Sequence, residues 1–365
     1  MKYVCSICGT TEDVATRNAK CDCGGLWKLD YKPPAFDLAL VDRDTWSIFR
    51  YRAFMPLKGE QWREISLGEG MTPIVQFNKD VLLKMDYFMP TLSFKDRGAA
   101  VLITHCKAIG VDSVVQDSSG NAGNSVAAYC AKAGIDCEIF VPEGTSPKKV
   151  NMIKAHKAHV NIVPGSRDHC ADVCRDKVAN DGKYYANHVY NPFFYQGTKT
   201  YIYETYEQLH RIPAHIVIPL GNGTLVIGIV KALEELLESG VIEKMPQLIA
   251  VQSEHCDPFV KAVLVKAKRA AMNTTPQPTI AEGISIGVPM RSEEILQYIY
   301  KYDIKVITAP EDRILEARMT LAAKGVYCEH TTAANYAAYL KFCEMHGKIE
   351  DCLIPMCGAG LKSDH

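Results

Sequence analysis

The chain has 365 residues, of which 47% are hydrophobic and 23% charged, and its formal net charge is −1. This balance does not favour nucleic acid or an anionic membrane surface as a partner, and no apolar run reaches the roughly 18 residues of a membrane-spanning helix. The N-terminus lacks the apolar stretch of a signal peptide. The length predicts about two or three domains, and the 14 cysteines predict a reducing compartment, by default the cytoplasm.

The first predicted element is a cysteine-rich segment at residues 1–32. Cys5 and Cys8 form a C-x2-C pair, and twelve residues later Cys21 and Cys23 form a C-x-C pair. Two such knuckles are typical of a zinc ribbon, which stabilises a short segment without a core. Because the second spacer is unusually tight, a structural zinc site and a metal-free remnant both stay open. Either role is structural, since four thiolates leave no open coordination position.

From about residue 75 onward, apolar β-branched runs alternate with helical patterns. Strands are predicted at Val81–Met85, Ser113–Gln116, Cys137–Val141, His159–Val163, His215–Leu220, Leu248–Gln252, Ile304–Thr308 and Cys352–Pro355. Helical patterns lie between them, as at Leu225–Leu237 and Ile314–Ala323. This alternation predicts an α/β fold with doubly wound parallel sheets that helices cover on both faces.

The hexapeptide from Ser93 to Gly98 places Lys95 where a helix is predicted to begin. A lysine in a first helical turn is unusual, because the helix N-terminus repels cations. The same field favours a neutral amine, which suits a lysine that forms an imine with a carbonyl cofactor. The ordinary alternative is a solvated surface lysine.

Two further loops join a predicted strand to a predicted helix. The loop from Gln116 to Asn124 is rich in serine, glycine and asparagine, and its backbone N–H groups suit a carboxylate. The loop from Gly221 to Thr224 has two glycines, which let the backbone approach a phosphate at a helix start. Each loop taken singly is also compatible with an ordinary tight turn.

Together these segments resemble the fold-type II pyridoxal phosphate enzymes of the tryptophan synthase β-like superfamily, and within them the threonine synthase group. The matches, in chain order, are Leu67–Pro73, Pro90–Gly98, Ser118–Ala122, Gly221–Leu225, Glu329–Ala333 and Cys357–Lys362, with Leu92 where glycine is common. The resemblance implies two doubly wound units with the cofactor in the cleft between them. It places a smaller mobile unit at about 97–190 and a larger unit at 33–96 and 191–365.

The resemblance also implies a role for each matched residue. Lys95 would carry pyridoxal 5′-phosphate as a Schiff base and act as general base at the substrate Cα. Asn121 would bind the pyridoxal 3′-oxygen, and the amides of the second glycine loop would bind the cofactor phosphate. The implied cofactor-binding set is Lys95, Asn121, Gly221, Asn222, Gly223, Thr224, Leu225 and Cys357, and the substrate-binding set is Ser118, Ser119, Gly120, Asn187 and His188.

Cys357 falls where the family places a Ser, Thr or Cys that faces the pyridine nitrogen. A neutral partner leaves the ring a weaker electron sink than an aspartate would, which favours elimination over transamination. The ordinary alternative is a small buried hydrophobe at a strand end.

The match weakens where threonine synthases bind the phosphate of O-phosphohomoserine. The family's Asn-Ser pair reads Asn187-His188 here, and Phe194 stands at the arginine position. A dianion needs charge or several donors, so His188, Lys199 and Arg167 are the candidates to replace the arginine.

Three function classes therefore stay open. The first is threonine synthase, and the second is another pyridoxal phosphate β-elimination or β-replacement enzyme, such as a serine/threonine ammonia-lyase or a cysteate-synthase-like enzyme. The third is a non-catalytic binding module, against which the intact Lys95 and phosphate loop argue. For the enzyme readings we expect a small amino-acid substrate, no nucleic-acid or membrane partner, and a homodimer.

Overall fold

The structure is a computed structural model that describes residues 1–165, 167–272 and 276–362, apart from the side chains of residues 167 and 168. Its strands are β1 (Lys2–Cys5), β2 (Thr11–Glu12), β3 (Trp27–Asp30), β4 (Ile74–Gln76), β5 (Val81–Lys84), β6 (Ser113–Gln116), β7 (Asp136–Pro142), β8 (His159–Val163), β9 (Tyr184–Tyr185), β10 (His215–Pro219), β11 (Gln247–Ser253), β12 (Lys305–Ala309) and β13 (Cys352–Pro355).

Its α-helices are α1 (Trp62–Ile65), α2 (Lys95–Ala108), α3 (Asn121–Ala133), α4 (Pro147–Ala155), α5 (Arg167–Asp181), α6 (Phe193–Thr198), α7 (Thr200–Leu209), α8 (Thr224–Glu238), α9 (Pro258–Leu264), α10 (Ser292–Lys301), α11 (Ile314–Ala322) and α12 (His330–His346). None of the helices in the described ranges is both long and apolar enough to cross a membrane.

The predicted alternation of strands and helices is confirmed. Every predicted strand is present, as β5 to β8 and β10 to β13, and the two predicted helices appear as α8 and α11. The signal was clearest for inner strands such as β5, β10 and β13, which are buried on both faces and read as continuous apolar runs. The predicted α/β class with parallel sheets is therefore correct.

The chain divides into two compact units. The first comprises Met1–Met71 and Met89–Thr198, and the second comprises Thr72–Phe88 and the described residues between 199 and 362. A four-stranded parallel sheet in the order β8-β7-β6-β9 lies in the first unit. The second contains a six-stranded sheet in the order β12-β11-β10-β13-β5-β4, parallel except for the pair of β4 with β5.

This division differs from the boundaries expected from sequence, because residues 33–71, 89–96 and 191–198 lie in the first unit. The packing explains it: α1 contacts α2 and α3, and α6 packs along α2. Apolar patterning marks elements but does not show which sheet a short connecting helix joins. A ribbon at residues 1–32 as a separate domain and the mobility of a smaller unit stay predictions.

The N-terminal strands form an antiparallel sheet in the order β2-β1-β3. This segment packs within the first unit, where the Tyr3 hydroxyl lies 3.4 Å from His105 Nε2 on α2. The His105 ring stacks on Phe193 of α6 at a centroid distance of 3.6 Å. Burial lowers the pKa of His105 to about 4, so a neutral ring joins the N-terminal sheet to the helix that begins at Lys95.

Candidate active site

Lys95 is the first residue of α2, as predicted. Its side chain is half-buried, and Nζ lies 4.6 Å from the ring centroid of Phe94 and 5.8 Å from that of Phe194. The neighbouring Ser93 is fully buried, and its hydroxyl oxygen has no hydrogen-bond partner among the described residues. An amine flanked by aromatic rings, next to an unsatisfied hydroxyl, fits a site that receives a carbonyl cofactor.

Asp96 holds the loop that carries this lysine. The carboxylate is fully buried and accepts hydrogen bonds from Thr91 N at 2.7 Å and Thr91 Oγ1 at 2.5 Å. Ser125 of α3 donates a third. Because a buried charge is tolerated only when it is hydrogen-bonded, these donors fix the lysine loop to α3. No role was predicted for Asp96 from the sequence, although its position directly after Lys95 could have indicated one.

Phe194 occupies space beside α2 that only a glycine leaves open. A Cβ at Gly98 would lie 2.3 Å from Phe194 Cε1, and Phe194 is fully buried. The ring of His188 meets it edge-on at 5.8 Å. The position expected to hold an arginine therefore holds a packed aromatic ring, which offers no donor to a dianion.

The backbone conformation of Leu92 explains why glycine is common at this position in the family that the chain resembles. Its φ is +61°, in the left-handed region that costs an ordinary residue about 1–2 kcal/mol. The amide of Leu92 nonetheless bonds Met89 O at 2.8 Å, so the turn that leads to Lys95 keeps its shape with a leucine.

The predicted carboxylate loop lies at the N-terminus of α3, a helix of 13 residues that begins at Asn121. Ser119, Gly120 and Asn121 are half-buried, whereas Ser118 is buried. Partly open amides at a helix start suit a carboxylate by dipole and geometry. The substrate and cofactor roles of these residues stay predictions.

Asn187 uses both ends of its amide within the first unit. Nδ2 donates to Asp117 Oδ1 at 2.6 Å, and Oδ1 accepts from Val189 N at 2.7 Å and Tyr190 N at 3.1 Å. These bonds shape the turn that carries His188. A direct substrate role for Asn187 stays a prediction, and the structure gives it a positioning role.

In the second unit, the predicted phosphate loop joins β10 to α8. Gly223 caps this helix of 15 residues with φ +74°, and a Cβ there would lie 2.3 Å from Ile295 Cδ1. Thr224 and Leu225 begin the helix, so their backbone N–H groups lack partners within it. A turn with two glycines at the start of a long helix fits a phosphate group. Cys357, in the same unit, is 2% exposed and follows β13.

The three candidates for a substrate-phosphate ligand differ in their surroundings. Lys199 is fully buried, and its Nζ lies 2.8 and 3.1 Å from the carboxylate oxygens of Glu235. This ion pair commits Lys199 to the second unit's own structure. His188 is buried, and the side chain of Arg167 lies outside the described residues.

Glu69, within the matched segment Leu67–Pro73, is a fully buried carboxylate that received no role from sequence. It accepts bonds from Leu67 N at 2.9 Å, Ser66 Oγ at 3.0 Å and the Tyr129 hydroxyl at 2.9 Å. Desolvation raises the pKa of Glu69 to about 7, against the opposing effect of these donors. The matched segment is thus anchored to α3, the helix that also bonds Asp96.

The four N-terminal cysteines form one cluster. Their Sγ atoms all lie within 4.8 Å of one another, with Cys5 to Cys23 at 3.4 Å and Cys8 to Cys21 at 3.6 Å. Four sulfurs placed tetrahedrally around zinc at about 2.3 Å lie about 3.8 Å apart, so the cluster fits this ion. Hydrogen bonds with Thr10 lower the pKa of Cys8 to about 6, whereas the neighbouring thiols of Cys5 and Cys8 raise the pKa of Cys23.

Residues 65–358 match the family model described as pyridoxal-phosphate dependent enzyme. The chain is 32% identical over 356 residues to the threonine synthase of Methanocaldococcus jannaschii, a match that covers 93% of this chain and 87% of that protein. It is 29% identical to the threonine synthase of Methanosarcina acetivorans, with 93% and 86% covered.

Solved structures show the same fold. The processed form of threonine deaminase isoform 2 from Solanum lycopersicum superimposes with a TM-score of 0.71 at 18% identity, covering 90% of this chain and 86% of that chain. Maize serine racemase superimposes with a TM-score of 0.69 at 20% identity, covering 79% and 88%.

Proposed function

Because the chain belongs to the family of pyridoxal-phosphate dependent enzymes, we propose that this lyase is a threonine synthase, which converts O-phospho-L-homoserine and water to L-threonine and phosphate. The observation that carries the proposal is its similarity to the archaeal threonine synthases, which extends over 93% of the chain. The loops around Lys95 and Gly223 support it, since Lys95 begins α2 and Gly223 caps α8 with a left-handed φ.

Each residue has a defined task in this proposal. When bound, pyridoxal phosphate supplies an electron sink for negative charge at the substrate Cα. Lys95 would hold the cofactor covalently, and its amine would move protons at the substrate Cα. The turn at Gly223 binds the cofactor phosphate, while Asn121 orients the ring. Amides from Ser118 to Gly120 bind the substrate carboxylate.

The direct test is to incubate the purified protein with pyridoxal phosphate and O-phosphohomoserine. We expect threonine and inorganic phosphate in equal amounts, measured by chromatography and a phosphate assay. The Lys95→Ala variant is the control and should release neither product. Failure to consume O-phosphohomoserine, with ammonia released from serine or threonine instead, would contradict the proposal.

The alternative is β-elimination or β-replacement on another amino acid, by a serine/threonine ammonia-lyase or a cysteate-synthase-like enzyme. Two observations favour it: the buried ring of Phe194 replaces the expected arginine, and Lys199 is paired with Glu235. Serine, threonine and phosphoserine belong in the same assay, because only the alternative predicts turnover of one of them above that of phosphohomoserine. A homodimer and a cytoplasmic location stay predictions.

We also propose that Cys5, Cys8, Cys21 and Cys23 bind one structural zinc ion, with a metal-free remnant as the alternative. Elemental analysis of protein purified without chelator should find about one zinc per chain, and the Cys8→Ser variant should contain less. Chelation should increase hydrogen exchange in residues 1–32 while leaving the cofactor absorbance unchanged. Protein prepared this way that contains no metal would favour the remnant.

A further inference from the structure

Thr331, near the start of α12, is bonded to the segment that covers the phosphate loop. Its Oγ1 accepts a hydrogen bond from Gly283 N at 2.9 Å. Gly283 and Ile284 in turn lie against Gly221, where a Cβ would be 3.0 Å from Gly283 O and 3.2 Å from Ile284 Cα. One hydroxyl therefore joins α12 to the segment that lies against the first residue of the phosphate loop.

Thr332, the next residue, makes a similar bond to the backbone that follows Cys357. Its fully buried side chain accepts from Gly358 N at 3.2 Å, directly after Cys357. The same residue, Gly358, accepts through its carbonyl from Glu329 N at 3.0 Å. The backbone beside the thiol is thus held to the first turn of α12 on both sides.

Two consecutive threonines are a poor choice for a helix on propensity grounds, because β-branching restricts χ1. Both hydroxyls here accept backbone N–H groups from outside the helix, and these two bonds reach different segments of the second unit. A requirement to hold those segments explains the pair better than helix formation does.

We propose that Thr331 and Thr332 are positioning residues. Thr331 holds the phosphate loop and Thr332 holds Cys357, so that the two keep a fixed position relative to each other. This inference rests on the proposed function, in which the loop binds the cofactor phosphate and Cys357 faces its ring. Loss of the Thr331 hydroxyl should therefore affect binding of the cofactor phosphate, and loss of the Thr332 hydroxyl should affect binding of the cofactor ring.

The experiment titrates apoprotein with pyridoxal 5′-phosphate and, separately, with pyridoxal, which has no phosphate, and follows the absorbance of the bound cofactor. Thr331→Val should weaken binding of the phosphorylated form roughly tenfold, the value of one lost hydrogen bond, and leave pyridoxal binding unchanged. Thr332→Val should weaken both by a similar factor, because both compounds have the ring that meets Cys357.

Three variants control for a merely structural effect. Thr331→Ser keeps the hydroxyl and should restore binding, while Gly283→Ala approaches the same contact from the other side, with a Cβ 2.9 Å from Thr331 Oγ1, and should reproduce Thr331→Val. Thr320→Val, at an exposed position of α11, removes a hydroxyl that donates to Glu316 O at 3.0 Å within the same helix, and should change neither affinity.

The inference alone is overturned if the unsubstituted protein binds pyridoxal phosphate and Thr331→Val either leaves that affinity unchanged or lowers the affinity for pyridoxal equally. Unsubstituted protein that binds neither compound would overturn the proposed function together with it. If Thr331→Val does not fold, the Gly283→Ala titration decides in the same way.

Discussion

The lysine loop of the first unit and the phosphate loop of the second are held in shape by opposite means. The lysine loop depends on side chains, because the buried carboxylate of Asp96 gathers three donors around it. The phosphate loop depends on missing side chains, because Gly223 takes a left-handed φ and Ile295 fills the space beside it. Substitutions that remove a polar atom should therefore damage the lysine loop, whereas substitutions that add a methyl group should damage the phosphate loop.

This difference follows from the groups that bind the cofactor, which are a side-chain amine in the lysine loop and backbone N–H groups in the phosphate loop. An amine that reacts with a carbonyl must be aimed by its neighbours, and hydrogen bonds to a charged group are directional and strong. A phosphate is bound by several backbone N–H groups at once, which any Cβ facing it would block. The two loops should therefore respond to substitution in separate ways.

The largest effect should follow from Lys95→Ala. We expect loss of the covalent adduct with pyridoxal phosphate that borohydride traps, and a fall in turnover of roughly a thousandfold or more, equivalent to about 4 kcal/mol. Mass spectrometry of the reduced protein measures the adduct. Lys132→Ala, at an exposed position of α3, should keep it; an adduct that persists in Lys95→Ala would place the reactive lysine elsewhere.

Gly223→Val should have the next largest effect, on the phosphate side. The new side chain meets the left-handed conformation and Ile295 together, and we expect cofactor affinity to fall roughly a hundredfold, or about 3 kcal/mol. Gly240→Val is the matched control, because Gly240 has φ +69° but open space where a Cβ would stand, with no contact within 4 Å. Only strain of about 1–2 kcal/mol in unfolding is expected there, and equal losses of affinity in both variants would refute the loop assignment.

Asp96→Asn tests the lysine side at constant shape. The amide cannot accept from all three donors, so we expect about 1–3 kcal/mol less stability and roughly tenfold slower adduct formation with Lys95. The rate should fall equally for pyridoxal and for pyridoxal phosphate, since the phosphate loop is untouched. Stopped-flow absorbance measures it, with exposed Asp176→Asn as control; slowing confined to the phosphorylated compound would remove the distinction between the loops.

Much of both loops could be predicted from the sequence, whereas the buried hydrogen bonds that hold them in place could not. Lys95 and Gly223 each stand between a strand pattern and a helix pattern, so local propensity and turn chemistry place them. Asp96, by contrast, depends on Ser125, and Glu69 on Tyr129, pairs that only the packing of α3 brings together. The ion pair of Lys199 with Glu235 could not be predicted either, because Glu235 lies on α8, 36 positions along the chain.

The smallest effect concerns pH and again separates the two loops. Glu69 is fully buried, and desolvation raises its pKa from 4.5 to about 7. The folded state thus binds the proton more tightly than the unfolded state, so this contribution to stability is fully present below about pH 4.5 and is lost as the pH rises through about 7.

The Glu69→Gln variant isolates this contribution. The variant amide oxygen can accept from Leu67 N and the Tyr129 hydroxyl, and its NH₂ group can donate to Ser66 Oγ, so the carboxylate's bonds are largely preserved. Between about pH 6 and about pH 8 we expect wild type to lose about 1 kcal/mol of unfolding free energy relative to the variant, measured by urea denaturation. Hydrogen exchange should locate the loss in α3 and the lysine loop, because Tyr129 joins Glu69 to the helix that bonds Asp96. A parallel pH response of both proteins would show that Glu69 does not titrate in this range, and a loss centred on α8 would contradict the separation of the two loops.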